Sequence, residues 1–229
     1  MTTAYAQLRD LVERAGRRPL WQAPHGWRVD DRRARRAAVL ILFGVLDRIP
    51  ADYDAHHRAV SRDLDVLLLT RAATLRSHPG QVAFPGGRVD PEDDDDIAAA
   101  LREAREETGV DTSGVEVLGA LAPLALPGSD HHVTPVIGWW RRPSPVGVVD
   151  EAESQAVWRA PVADLINPDN RVTWTHSRRG TPMRGPAWHL TGAGAEQFVW
   201  GFTAGILDRL LTALGWAEEW DESRVVPLA

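Results

Sequence analysis

Cysteine is absent from this chain of 229 residues. No disulfide framework, thiolate metal site or cysteine nucleophile can therefore be built. That fits a reducing compartment, and the expectation is a cytoplasmic protein. Long apolar runs are absent too. The longest, residues 37–46, falls far short of the roughly 20 residues that a membrane helix needs. Residues 1–10 lack the basic start and apolar stretch of a secretory signal, so none is expected. Nor is positive charge in excess: 26 basic against 32 acidic residues give a formal net charge of -6. Such a balance does not suit a protein that coats nucleic acid by neutralising phosphates. A small anionic substrate stays compatible, because a local basic pocket can sit on an acidic body.

What is present is ordinary for a soluble globular chain: 44% hydrophobic and 25% charged residues, enough for a sizeable core. The length suits one domain with elaborations. Tryptophan is abundant, with 10 residues, and reads as core and pocket lining because these rings mainly bury apolar area. No internal repeat is visible.

Periodicity predicts a helix over residues 5–15, where Leu8, Leu11 and Val12 recur at helical spacing. Residues 37–43 and 65–70 read as buried strands, with a polar loop over 50–63 between them. A helix is predicted over residues 96–108, stopped by Gly109, with acidic residues 92–96 at its favourable positive end. Strands follow over 115–121, 133–140 and around 157–162. Residues 167–194, rich in Gly, Pro and Arg, read as mostly loop with short strands. A terminal helix is predicted over 197–214, with Val199, Thr203, Ile206, Leu207, Leu210 and Leu214 on one face. Strands with few helices suggest a mixed sheet between helical layers.

The informative helix is 96–108. Glu103, Glu106 and Glu107 are spaced i, i+3 and i+4, which places three carboxylates on one face. Ile97, Leu101 and Ala104 point elsewhere, toward the core. Three adjacent like charges repel, and a solvated surface offset by Arg102 and Arg105 is the plain explanation for an isolated acidic helix. Here the helix follows Phe84-Pro85-Gly86-Gly87, a tight loop that permits close backbone approach. Hard cations such as magnesium or manganese take several oxygen ligands of this kind. They would neutralise a diphosphate and activate a water.

This segment resembles the Nudix box, Gly-x5-Glu-x7-Arg-Glu-U-x-Glu-Glu-x-Gly-U, where U is a bulky apolar residue. Arg102, Glu103, Glu106, Glu107, Gly109 and Val110 match its second half. Ala104 is small for its U position. Gly87 lies one residue further from Arg102 than the strict box allows, and Asp94 stands at the first Glu position when counted back from Arg102. The same expansion characterises the coenzyme A diphosphatase branch of Nudix hydrolases. That branch carries an upstream motif, approximately Leu-Leu-Thr-x-Arg-[Ser/Ala]-x3-Arg-x3-Gly-x3-Phe-Pro-Gly-Gly. Here the stretch reads Leu67-Leu68-Leu69-Thr70-Arg71-Ala72, then Arg76, Gly80 and Phe84-Pro85-Gly86-Gly87, departing at Leu69 alone. Residues 133–136, Glu153 ahead of Pro161, and residues 198–205 are also similar to the family. The likeness covers residues 35–211, so the expectation is a single domain over 1–229 with residues 1–34 as an N-terminal extension.

The resemblance implies a Nudix α/β/α sandwich with a mixed β-sheet and a Mg²⁺ or Mn²⁺ cofactor. Glu103 and Glu107 become the principal metal ligands. Glu106 is a further ligand or the group that orients the attacking water, and the Gly87 carbonyl is a fourth donor. Arg102 would lock a glutamate's orientation through two parallel bonds. Arg71 and Arg76 would bind substrate phosphates or shape the upstream loop. Arg36, with Arg35, competes with them for the 3′-phosphate of coenzyme A. Glu153 is a candidate general base against a plain surface glutamate. His131 and His132 read as substrate-contact or surface residues rather than ligands. Of Trp139 and Trp140, one should face the core and the other outward, where packing or adenine stacking are open to it. The implied reaction is hydrolysis of coenzyme A or its thioesters to 3′,5′-adenosine diphosphate and a 4′-phosphopantetheine. The alternatives are a Nudix hydrolase of ADP-ribose, a dinucleotide or a similar compound, and a silent Nudix module that senses a ligand. The oligomeric state is left open, a homodimer included.

Overall fold

The computed structural model describes residues 3–16, 34–45, 51, 53–57, 59–75, 77–126, 130–178 and 181–228. Its centre is β1 (Arg35–Val45), the apolar run singled out above. Along one edge β1 pairs in parallel with β7 (His131–Trp140), from Arg35 opposite His131 to Phe43 opposite Trp139. Its other edge is shared. The end of β1 pairs antiparallel with β2 (Leu64–Arg71), and its start with β4 (Gly86–Arg88). The sheet is completed by β3 (Val82–Ala83) and β8 (Ser154–Pro161) on β2, and by β5 (Val115–Ala120) and β6 (Leu124–Leu126) on β7. It is therefore mixed.

Successive residues of β1 face opposite sides of this sheet. Ala38, Leu40 and Leu42 pack against Ala99, Ala100 and Ala104 of α2 (Asp96–Thr108), joined by Val136 and Trp140. Ile41 and Phe43 pack the other way, with Leu8 and Leu11 of α1 (Ala4–Ala15) and Ile206, Leu207 and Leu210 of α4 (Gly201–Leu214). The result is the expected α/β/α sandwich. The first helix belongs to it, since Leu8 and Leu11 are fully buried. In α2 the alanines make the closest approach to the sheet, while Ile97 and Leu101 flank them half-buried.

Two expectations need correction. Residues 171–192 are not mostly loop: β9 (Arg171–Arg178) and β10 (Thr181–Gly192) form a long antiparallel pair. With β11 (Ala195–Val199) and β12 (Val225–Pro227) they make a second, four-stranded sheet. The prolines that suggested loop, Pro182 and Pro186, lie in the part of β10 that β11 does not reach, so no ladder donor is missed there. The terminal helix begins at Gly201, not at 197, because residues 195–199 pair with β10 instead. Its face from Thr203 to Leu214 is buried as expected. Short α3 (Val162–Ile166) links β8 to this second sheet. Both strand-end tryptophans are packed: Trp140 on the α2 side, Trp139 against the Tyr5 ring of α1 at 5.6 Å.

Asp65 is a cost within this core. It sits in β2 with only 4% of its surface exposed, its Oδ1 lacks a hydrogen-bond partner, and Arg159 approaches its other oxygen only to 3.9 Å. Burial pushes its carboxyl up to about 7, against the smaller lowering effect of Arg159. The folded state thus holds the proton more tightly than the unfolded one. Stability from this group is complete below the unfolded pKa and is lost as pH rises through about 7. Asp65→Asn is expected to raise the unfolding temperature at pH 8, by about 2 to 4 °C for each kcal/mol relieved. The gain should shrink steadily toward pH 4, as read by calorimetry; an equal gain at both pH values would contradict a buried charge.

Candidate active site

α2 is positioned by its own ends. The Asp95 side chain accepts from the Ala98 N–H at 2.8 Å, and Gly109 closes the helix in a left-handed conformation at φ 71°. Its alanine face is fixed on the sheet, so the polar face has one orientation. That face meets the loop running from Phe84 into β4, which is stitched to β1 by the Leu40 N–H to Pro85 carbonyl bond of 2.8 Å.

The contact admits no side chain from the loop. A Cβ on Gly86 would lie 2.3 Å from the Ala38 carbonyl oxygen. A Cβ on Gly87 would lie 2.4 to 2.6 Å from the atoms of the Glu103 carboxylate. The Gly86 N–H donates to Glu107 Oε2 at 2.8 Å. Both carboxylates thus lie against the glycine backbone.

Arg102 is the hub beside them. Its guanidinium donates to Glu103 Oε1 and to Glu106 Oε2, each at 3.0 Å, and to the Arg88 carbonyl at 3.0 Å. The two parallel bonds expected toward a glutamate go elsewhere, to Asp93, at 3.0 and 2.9 Å. Asp93 was missed by counting back from Arg102, which selects Asp94. Counting forward from Gly87 by the same motif selects Asp93, so the extra residue lies between Asp93 and Arg102. The hydrogen bond to Asp93 raises the Arg102 pKa further, and the same pair holds the Asp93 carboxyl below its usual range.

Burial dominates the electrostatics of the other two. It pushes Glu107 up to about 7, with Glu103 and Glu153 adding to the rise and the Gly86 N–H and Arg71 opposing it. Burial likewise raises Glu103, while Arg102 lowers it. Both are carboxylates withdrawn from water, offset only in part by Arg102 at Glu103 and by the Gly86 N–H and Arg71 at Glu107. Among the described residues, no three acidic or imidazole side chains converge on one point, since Glu106 turns to Arg102.

Arg71, at the end of β2, and Glu153, just before β8, both act electrostatically on Glu107. They are neighbours through the strand pairing, where the Ala72 N–H donates to the Glu153 carbonyl at 2.9 Å. Arg71 is half-buried and its Nε has no hydrogen-bond partner. Arg36 is instead bound to Asp96 at 2.5 Å, on the first turn of α2, and Thr134 holds the other oxygen of Asp96. Seven residues of helix, roughly 10 Å, separate that turn from Glu103. Arg76 lies outside the described residues. His131 and His132 are half-buried at the start of β7, opposite Arg35 and Arg36.

A NUDIX domain model matches residues 53–161. The uncharacterized Nudix hydrolase NudL of Cronobacter sakazakii is 41% identical over 152 residues, covering 66% of this chain and 75% of that protein. The NudL of Escherichia coli K12, also uncharacterized, matches to the same extent. The chain belongs to the Nudix family. As a Nudix hydrolase it acts on diphosphate bonds of small molecules, a chemistry that generally uses divalent cations. Among solved structures, an Ap4A hydrolase of C. elegans overlays with a TM-score of 0.41 at 21% identity, over 57% of this Nudix chain and 83% of that one. Among the described residues no helix is long and apolar enough to cross a membrane.

The two glycines predict different failures. Gly87→Ala meets the movable end of the Glu103 side chain, so the fold should survive while the displaced carboxylate lowers turnover by about tenfold or more. Gly86→Ala meets the β1 backbone and should lower the unfolding temperature markedly. Thermal unfolding and steady-state rates of both variants check this; an active, stable Gly86→Ala would contradict the packing.

Proposed function

We propose that this Nudix hydrolase cleaves the diphosphate of coenzyme A or its thioesters, giving 3′,5′-adenosine diphosphate and a 4′-phosphopantetheine. The observation that carries the reading is the junction of two motifs at one pair of carboxylates. Gly86, at the end of the upstream stretch, donates its N–H to Glu107 of the helix at 2.8 Å, and Gly87 lies against the Glu103 carboxylate. The stretch that resembles the coenzyme A branch thus borders the carboxylates directly.

The donor set suits magnesium or manganese, since it is all oxygen and burial outweighs the nearby arginines at its two buried members. Glu103 and Glu107 would hold the cation, with Glu106 and the Gly87 carbonyl completing the set once Glu106 leaves Arg102. Bound there, it would neutralise the diphosphate and favour attack by water. Arg71 binds and orients a diphosphate oxygen with its free Nε–H, a charge-assisted bond. Its position at the end of β2, where its backbone N–H donates to the Gln81 carbonyl at 3.0 Å at the start of the glycine loop, supports that role over contact with the distal 3′-phosphate. Glu153 accepts the proton of the attacking water. Arg102, anchored on Asp93, sets the orientation of Glu103 and Glu106. Arg36 reaches a distal phosphate by releasing Asp96, and Arg76 lies on the same upstream motif. The absence of cysteine suits work in the reducing cytoplasm.

The test is turnover of coenzyme A, its thioesters, ADP-ribose and diadenosine polyphosphates with Mg²⁺ or Mn²⁺, with products read by mass spectrometry. Coenzyme A or a thioester should give the highest kcat/KM, and excess chelator should stop the reaction. Faster cleavage of ADP-ribose or a dinucleotide would overturn the substrate assignment, and full turnover in chelator would overturn the role of the carboxylates.

A further inference from the structure

A shallow cleft of about 330 Å³ opens next to Arg71 and Glu153, within the size range of small-molecule sites. One wall is residues 72–74, which follow Arg71 directly. The other is Val148 with Glu151, Ser154 and Gln155, which flank Glu153. The Ala72 N–H to Glu153 carbonyl bond ties the two walls together at the catalytic end.

The lining selects against the charged and aromatic parts of a nucleotide. Among the described residues it holds no aromatic ring, so a base has nothing to stack on. Among the described residues its lining holds no cation either, and Glu151 would repel a phosphate. What it offers is methyl groups from Ala72, Ala73 and Val148, with the hydroxyl of Thr74 and the amide of Gln155 at the rim. At its floor the Ser154 hydroxyl is buried and has no hydrogen-bond partner. Ser154 is the register partner of Arg71, whose Nε is unpartnered as well. Buried polar groups are rarely left unpaired, so the Ser154 hydroxyl points to a ligand in the cleft that completes it, while Arg71, outside the lining, marks the diphosphate end.

We propose that this cleft takes the uncharged arm of the substrate, an aliphatic chain carrying amide or hydroxyl groups, as it leaves the diphosphate on the side away from the nucleoside. Ser154 and Gln155 are then specificity residues, hydrogen-bonding that arm while the alanines and Val148 cover its methylene groups. The inference rests on the diphosphatase reading above for the position of the diphosphate. For coenzyme A the arm is the pantetheine portion.

Binding of 4′-phosphopantetheine and of 3′,5′-adenosine diphosphate to the full chain, with Mg²⁺, separates the two ends of the substrate by calorimetry. Ala73→Phe fills the cleft from an exposed position. It should weaken 4′-phosphopantetheine by about tenfold or more, some 1.4 kcal/mol, and leave 3′,5′-adenosine diphosphate unchanged, which also shows that the variant is folded. Gln155→Ala should weaken the same ligand alone, and less. Unchanged 4′-phosphopantetheine binding in Ala73→Phe, an equal loss of both ligands, or loss of the nucleotide alone would each overturn the inference, as would a wild-type chain that does not bind 4′-phosphopantetheine. A wild-type chain that binds this ligand in the cleft and yet leaves coenzyme A intact would overturn the proposed reaction alone.

Discussion

Two carboxylates of one helix, Glu103 and Glu107, are pressed against two glycines that leave no room for a side chain. Burying like charges together is unfavourable, and the surrounding structure is arranged to hold them there. The Gly86 N–H meets Glu107, the alanine face of α2 brings the helix close to the sheet, and β1 fixes the loop from its other side. Loosening any of these would let the carboxylates swing out to water. The site is therefore a place where local stability is given up for chemistry, as is common where a function needs concentrated charge.

Arg102 and Asp93 form the brace for this arrangement. A guanidinium shared between Asp93, Glu103, Glu106 and the Arg88 carbonyl joins the helix to the segment that leads into it. Because its strongest geometry is spent on Asp93, its single bonds to the glutamates can be exchanged without releasing the helix. Glu103 and Glu106 each take one bond from the same nitrogen of this guanidinium. The opposite layer contributes indirectly: α1 and α4 bury the far face of β1 and keep the loop's docking strand rigid.

Much of this was legible in the residues. The i, i+3, i+4 spacing of Glu103, Glu106 and Glu107 placed them on one face, and the resemblance put the Gly87 carbonyl in the same ligand set. The apolar run of β1 announced the central strand. What failed did so for physical reasons. Asp93 was hidden because the extra residue shifts the count from one end and not from the other. The β9–β10 pair was hidden because Pro182 and Pro186 are tolerated along the part of β10 without a second neighbour, which composition cannot reveal. The start of α4 was misplaced because Phe198 and Val199 fit a helical face as well as a strand, and pairing with β10 decides between them. The partner of Arg36 was invisible too, since 60 positions separate it from Asp96.

The central claim is that Glu103 and Glu107 with the Gly87 backbone form a site for a hard divalent cation. Titration of Mn²⁺ into the full chain, followed by electron paramagnetic resonance, tests it without reference to any substrate. The wild-type chain should bind the ion, and Glu103→Gln should lose about tenfold or more in affinity while keeping its unfolding temperature. Equal Mn²⁺ affinity in the two proteins would contradict the account.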